Sequence, residues 1–193
     1  MINAPTWLEW LTFGLSASGA AAIFALSAVS AVRPSFEFFP PPSKQSWQHR
    51  TFLALFRLYL YPLVALTILV IRPATDTLGW AQILLGSALM ITGFGLAIRI
   101  TLRMGWRNAF GEKRGLMTTG WFAWSRNPIY VTTWIGLSGW SLLITDPRVL
   151  VLLAFWALMY LLAPIVEEPW LQRQYGQSYK DYQQSTPRFI GVF

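Results

Sequence analysis

Apolar residues in this chain neither alternate nor recur every third or fourth position. They come in long runs separated by short polar stretches. A helix of about 20 mostly apolar residues crosses the hydrocarbon core of a bilayer. Such a helix also satisfies its own backbone hydrogen bonds where no water is available. Five runs reach or approach that length: residues 7–32, uncharged after Glu9; 52–71, interrupted by Arg57; 77–98; 128–145; and 149–166. The pattern predicts an all-α, polytopic membrane protein with about five transmembrane helices in a single domain over 1–193. Three membrane helices fall in 1–104, and the remainder in 105–193. The last two runs are joined by Asp146-Pro147-Arg148, which predicts an antiparallel helical hairpin. Leu171, Tyr175, Tyr179 and Tyr182 recur at helical spacing and predict an amphipathic C-terminal helix lying on the membrane surface. Pro40-Pro41-Pro42 predicts a stiff extended element. Residues 101–124 are too polar to span and are expected at the interface, anchored by Trp106, Trp121 and Trp124.

Composition narrows the class. Of 193 residues, 54% are hydrophobic and 12% charged, against about 25% charged in a soluble domain. There is no cysteine, which excludes disulfides, thiolate metal sites and cysteine nucleophiles. The single histidine, His49, builds no zinc site alone, so no metal is expected. The net charge of +7 does not point to nucleic acid, because the basic residues cluster at the ends of apolar runs. Arg33, Lys44 and Arg50 fill one loop, and Arg99, Arg103, Arg107, Lys113, Arg114 and Arg126 another. Arg173, Lys180 and Arg188 lie in the tail, while the alternate loops hold only Arg72 and Arg148. Positive charge favours the cytoplasmic side. That places the N-terminus outside and the C-terminus in the cytoplasm. Glu9 and the lack of an early Lys or Arg argue against a cleavable signal.

With that orientation, four groups of residues reach the cytoplasmic face together. At the start of the fourth run, Pro128 suits a first helical turn and Asn127 can cap it. Arg126 beside them either snorkels or, with the exposed N–H groups, holds an anion. Gly93 and Gly95 in the third run either let two helices approach closely or admit a flat ligand. Glu167 and Glu168, behind the fifth run, are either a neutralised helix end or a binding and acid–base pair. Arg188 can return over the site from the tail and grip a carboxylate or phosphate in a forked contact.

Residues 114–188, about two fifths of the chain, resemble the superfamily of isoprenylcysteine carboxyl methyltransferases and phospholipid N-methyltransferases. The family pattern His-x-Leu-Val-x-x-Gly-x-Tyr-x-x-x-Arg-His-Pro-x-Tyr is answered here by Arg114, Leu116, Met117, Gly120, Phe122, Arg126, Asn127, Pro128 and Tyr130. Downstream, Glu167-Glu168-x-x-Leu171, Tyr175-Gly176, Tyr179-x-x-Tyr182 and Pro187-Arg188 keep the family's order and spacing. Gly93 and Gly95 are similar to the Gly-x-Gly of the phospholipid enzymes. Arg114 and Asn127 stand where the family has histidine, and Phe122 where it has tyrosine.

The resemblance implies an integral membrane methyltransferase that uses S-adenosylmethionine without a Rossmann domain. The acceptor would be a lipophilic, membrane-resident carboxylate, amine or thiol. Residues 105–193 would be the cofactor-binding half. Gly93, Gly95, Arg114, Arg126, Asn127, Pro128, Tyr130, Glu167 and Glu168 would bind the cofactor, with Glu168 and Arg188 catalytic. The partners implied are a lipid-like substrate and membrane lipids. Two other readings are open: an NADPH-dependent, sterol-type membrane reductase, and a non-enzymatic transport or assembly protein. Charge deep in the spans would favour transport, and Arg57 is the one such residue.

Overall fold

The structure is a computed structural model and describes residues 5–33, 35–71, 77–105 and 115–191. Among them there is no strand. The helices are α1 (Thr6–Val32), α2 (Trp47–Val70), α3 (Thr77–Met104), the single turn α4 (Trp121–Trp124), α5 (Pro128–Leu143), α6 (Pro147–Tyr175) and α7 (Gln177–Ser185). Four of them, α1, α2, α3 and α6, are long and apolar enough to cross a membrane. The fourth apolar run forms α5, which has only 16 residues. At 1.5 Å per residue that is about 24 Å, short of the ~30 Å hydrocarbon core.

Three boundaries differ from expectation. α2 begins at Trp47, five residues before the run expected from residue 52. α3 continues past residue 98 to Met104. α6 does not stop at residue 166. It runs through Glu167, Glu168 and Pro169 to Tyr175 and ends at Gly176, whose φ of +56° a residue with a side chain rarely adopts. Internal proline is tolerated in membrane helices because neighbouring groups take up the carbonyl it frees. The glutamates therefore sit on a helix two turns before its end. Gly176 also splits the aromatic stripe: Leu171 and Tyr175 belong to α6, Tyr179 and Tyr182 to α7. The stripe is not one surface, and both α7 tyrosines are buried. The tyrosine face of α7 is turned into the protein instead of outward onto a membrane.

Backbone contact pairs the helices. Ser16 Oγ donates to the Tyr59 carbonyl at 2.7 Å. A Cβ on Gly19 would lie 2.8 Å from Tyr59 N, so α1 and α2 touch main chain to main chain. α3 and α5 meet along a glycine seam, where a Cβ on Gly93 would fall 2.2 Å from Gly136 N and one on Gly139 2.4 Å from Met90 N. Residues 144–146 link α5 to α6, and Trp134 Nε1 donates to the Ala157 carbonyl at 3.1 Å. Yet α5 lies closest to α3, not to its chain neighbour. Trp156 on α6 is the aromatic centre, its ring 5.7 Å from Phe56, 5.9 Å from Tyr59 and 5.8 Å from Phe94. Tyr59 adds a hydrogen bond to the Leu152 carbonyl at 2.8 Å.

An ionic clamp closes one end. Arg148 Nη2 reaches Glu9 Oε2 at 2.8 Å and Asp146 Oδ2 at 2.7 Å. Its guanidinium also lies 5.2 Å from the Trp10 ring centre. The start of α1 is thus fixed beside the start of α6, so both helices run in the same direction. Glu167 and Glu168 lie toward the other end of α6.

Candidate active site

Neighbouring residues on a helix point about 100° apart, and Glu167 and Glu168 accordingly take different partners. Glu168 is buried, 9% exposed. Arg188 grips it as a fork, Nε to Oε1 at 2.9 Å and Nη2 to Oε2 at 2.6 Å. Arg126 Nη2 adds a contact to Oε1 at 3.3 Å. Forked guanidinium–carboxylate contacts are among the strongest hydrogen bonds in proteins and fix orientation as well as charge. This bond holds the Arg188 guanidinium protonated, above its ordinary range.

Glu167 accepts a 2.5 Å hydrogen bond at Oε1 from the Tyr130 hydroxyl. The Tyr130 ring lies 4.4 Å from that of Tyr160. Tyr160 precedes Glu167 by seven residues, two turns along the same face of α6. It is a site neighbour that the motifs did not name, and its seven-residue offset is the signal that could have found it.

The chain after α7 returns across the start of α5 as a strap. Arg126 N donates to the Pro187 carbonyl at 2.9 Å, and Asn127 Nδ2 to the Arg188 carbonyl at 2.9 Å. Ser125 Oγ reaches the same carbonyl at 3.4 Å. The Phe189 ring packs against Trp134 at 4.8 Å, tilted by 52°. Tyr182 anchors α7 by donating to the Phe122 carbonyl at 2.6 Å. Burial first, and the Glu168 charge second, keep the Tyr179 phenol protonated well beyond its usual range; burial does the same for Tyr182.

Arg126 is the unusual member. Its side chain is 11% exposed. Nη2 faces Glu168, while Nε and Nη1 are buried with no hydrogen-bond partner among the described residues. Buried donors without acceptors cost free energy, so two left at one guanidinium mark a place where an acceptor belongs.

The structure therefore brings together Arg126, Asn127, Tyr130, Glu167, Glu168 and Arg188, with Pro128 buried beneath them as the first residue of α5. Three expectations change in detail. Asn127 occupies the cap position without capping through its side chain; the amide holds the strap. Arg188 grips Glu168 and is not held free for a substrate anion. Gly93 leaves no space for a flat ligand, because α5 backbone fills it, and Gly95 faces open space. Arg114 lies outside the described residues, as do Arg72, Trp106, Arg107 and Lys113.

Four membrane-length helices and an ion-paired cluster toward one end of them define an integral membrane protein with a buried polar site. Residues 81–178, half of the chain, match the phospholipid methyltransferase family, and the chain belongs to that family. It is a membrane methyltransferase. No curated protein and no solved structure matches it. The matched segment contains every candidate cofactor residue and stops before Arg188.

Proposed function

We propose that this protein transfers a methyl group from S-adenosylmethionine to a lipophilic acceptor resident in the membrane. The observation that carries the reading is Arg126, with two buried donors that have no partner among the described residues, beside a carboxylate. The donor set suits the cofactor. Nε and Nη1 of Arg126 lie on different edges of the guanidinium, and each offers a donor to a separate acceptor oxygen of the cofactor. Glu168 suits its ammonium or ribose hydroxyls once Arg188 gives up part of its fork, and the face of Tyr130 suits a sulfonium. The cofactor, when bound, supplies a methyl carbon already activated by the positive sulfur.

What remains for the chain is alignment. Near-attack positioning lowers a barrier by about 7–11 kcal/mol. A carboxylate acceptor needs no base. An amine or thiol does, and Glu167 is better placed for that role than Glu168. Both Glu168 oxygens accept from arginine, whereas Tyr130 engages only Oε1 of Glu167. Arg188 then acts by holding Glu168. Gly95, not Gly93, is the glycine able to border a ligand. We read α5 as the fifth membrane helix, with the N-terminus outside and the site facing the cytoplasm. The reductase and transport readings lose ground to the family assignment.

The test is transfer of isotopic methyl from labelled S-adenosylmethionine into a membrane lipid extract, read by mass spectrometry. Glu167→Gln and Glu168→Gln should each lower transfer by about 100-fold, the scale of an ångström-sized misplacement. Full activity with both replaced rejects the site, and binding of NADPH with no binding of S-adenosylmethionine rejects the reaction.

A further inference from the structure

α2 crosses the membrane with a charged residue inside its apolar run, and nothing in the helix neutralises it. At 100° per residue, Arg50, Ala54, Arg57, Tyr61, Val64 and Ile68 fall within one stripe about 80° wide. All six are exposed. The buried residues Tyr59, Leu63 and Leu66 lie on the opposite side, against the rest of the bundle. α2 contains no Asp or Glu. Among the described residues, neither Arg50 nor Arg57 has an acidic side chain within ion-pairing distance.

Depth makes this arrangement costly. The 24 residues of α2 rise about 36 Å, against ~30 Å of hydrocarbon. A centred helix puts Arg50 near the hydrocarbon edge and Arg57 about 12 Å inside it. An arginine facing lipid at that depth is tolerated when it extends toward the interface and meets an anion there. Helical side chains lean toward their own N-terminus, which for α2 is the nearer surface. Arg57 therefore reaches back over Ala54, a small residue one turn up, toward the level of Arg50. Tyr61 follows one turn deeper, 64% exposed, and Val64 and Ile68 continue the stripe as hydrocarbon. From the surface inward the face reads cation, gap, cation, phenol, hydrocarbon. A glycerophospholipid has the matching order of phosphate, glycerol ester and acyl chain. Guanidinium binds phosphate oxygens in forked contacts.

The leaflet follows from the packing. α1 leaves the Glu9–Arg148 clamp in the direction of α6, so its far end lies at the glutamate end of the bundle. Phe38 N donates to Ser30 Oγ on α1 at 2.8 Å, and the Phe38 ring lies 6.2 Å from Phe52 on α2. The start of α2 is thereby held at that same end.

We propose that Arg50 and Arg57 bind the phosphate of an anionic glycerophospholipid in the leaflet on the glutamate side, with an acyl chain laid over Tyr61, Val64 and Ile68. Two cations with no carboxylate between them favour a head group without an ammonium. The site is independent of the methyl transfer proposed above.

The test uses the full chain in detergent, titrated with phosphatidylglycerol or with phosphatidylcholine of the same acyl chains and read by native mass spectrometry. The wild type should bind phosphatidylglycerol the more tightly. Arg50→Gln with Arg57→Gln should weaken that binding about tenfold, the scale of one charge-assisted hydrogen bond, and leave phosphatidylcholine unaffected. Arg173→Gln removes an exposed charge elsewhere and should bind as wild type. Without added lipid the double variant should melt with the wild type, since neither side chain is paired within the protein. A second measurement uses the wild type alone: phosphatidylglycerol carrying a diazirine in its acyl chain should label residues 54–68. Equal affinity for the two lipids overturns the site, as does a preference that survives the double substitution or labelling confined to other helices. So does a dimer that the double variant loses, because a second copy then covers the arginines.

Discussion

Glu167 and Glu168 are chemically identical and one residue apart, and their surroundings separate them. Glu168 neutralises part of a double-arginine charge, whereas Glu167 faces a phenol and an aromatic pair. Removing the Tyr130 hydroxyl leaves a half-buried carboxylate without its donor, which costs about 1 kcal/mol or more. Tyr130→Phe should therefore lower the melting temperature in detergent clearly. Glu167→Gln, which keeps an acceptor oxygen, should cost less than about 1 kcal/mol. The double variant should fall short of the sum of the two, as contacting pairs do; strict additivity would mean the bond contributes nothing. Sequence reached most of this site because its motif residues sit at short, recognisable offsets. It did not reach the division of labour. Which carboxylate meets the arginines depends on a strap that arrives from residue 188, and the ties from Ser125 and Asn127 that aim it are long-range contacts with no local signature.

At the level of the helix, hydropathy sufficed to locate the spans but not their partners or their ends. A transbilayer run announces itself by length, so the four long helices were legible. The stop of α6 was misplaced because Glu167, Glu168 and Pro169 look like a helix end, whereas Gly176 supplies the actual break. The mate of α5 was hidden by chain proximity: a short link suggested α6, and the glycine seam chose α3. In a lipid medium small residues decide such contacts by letting backbones approach. Gly93 and Gly95 separate the two explanations of that motif. A Cβ at position 93 collides with main-chain atoms of Gly136 and the Thr132 carbonyl, and neither can move aside without shifting α5. Gly93→Ala should thus cost about 3 kcal/mol, the upper part of the overpacking range. Gly95→Ala meets nothing within 4 Å and should melt with the wild type. Equal melting of both would refute the seam.

Across the whole molecule, the Glu9–Arg148–Asp146 clamp and the Arg126–Glu168–Arg188 cluster occupy opposite ends of α6. The bias of positive charge among the loops predicts a cytoplasmic cluster end. Because the chain has no cysteine, Thr145→Cys and Ser185→Cys each give one labelling position. An impermeant thiol reagent should modify the first in sealed cells and the second only after permeabilisation; the reverse pattern inverts the protein. The clamp has its own signature, since it ties the first membrane helix to the last through groups that titrate. The Arg148 side chain, by hydrogen bonding, holds the Asp146 carboxyl below the usual carboxylate range, against the opposing effect of burial. A group whose folded pKa is depressed contributes stability that is fully present above its unfolded value, about 3.9 for Asp. That contribution is lost as pH falls through the lower, folded value. The melting temperature should therefore hold from neutrality to about pH 5 and decline below about pH 4. Asp146→Asn keeps an oxygen to accept from Arg148 N, the bond that starts α6 at 2.9 Å, but removes the charge. Its melting curve should lie below wild type at neutral pH and converge on it as acid protonates Asp146 in the wild type. Curves that stay parallel throughout that window would show that this carboxylate contributes nothing to holding α1 against α6.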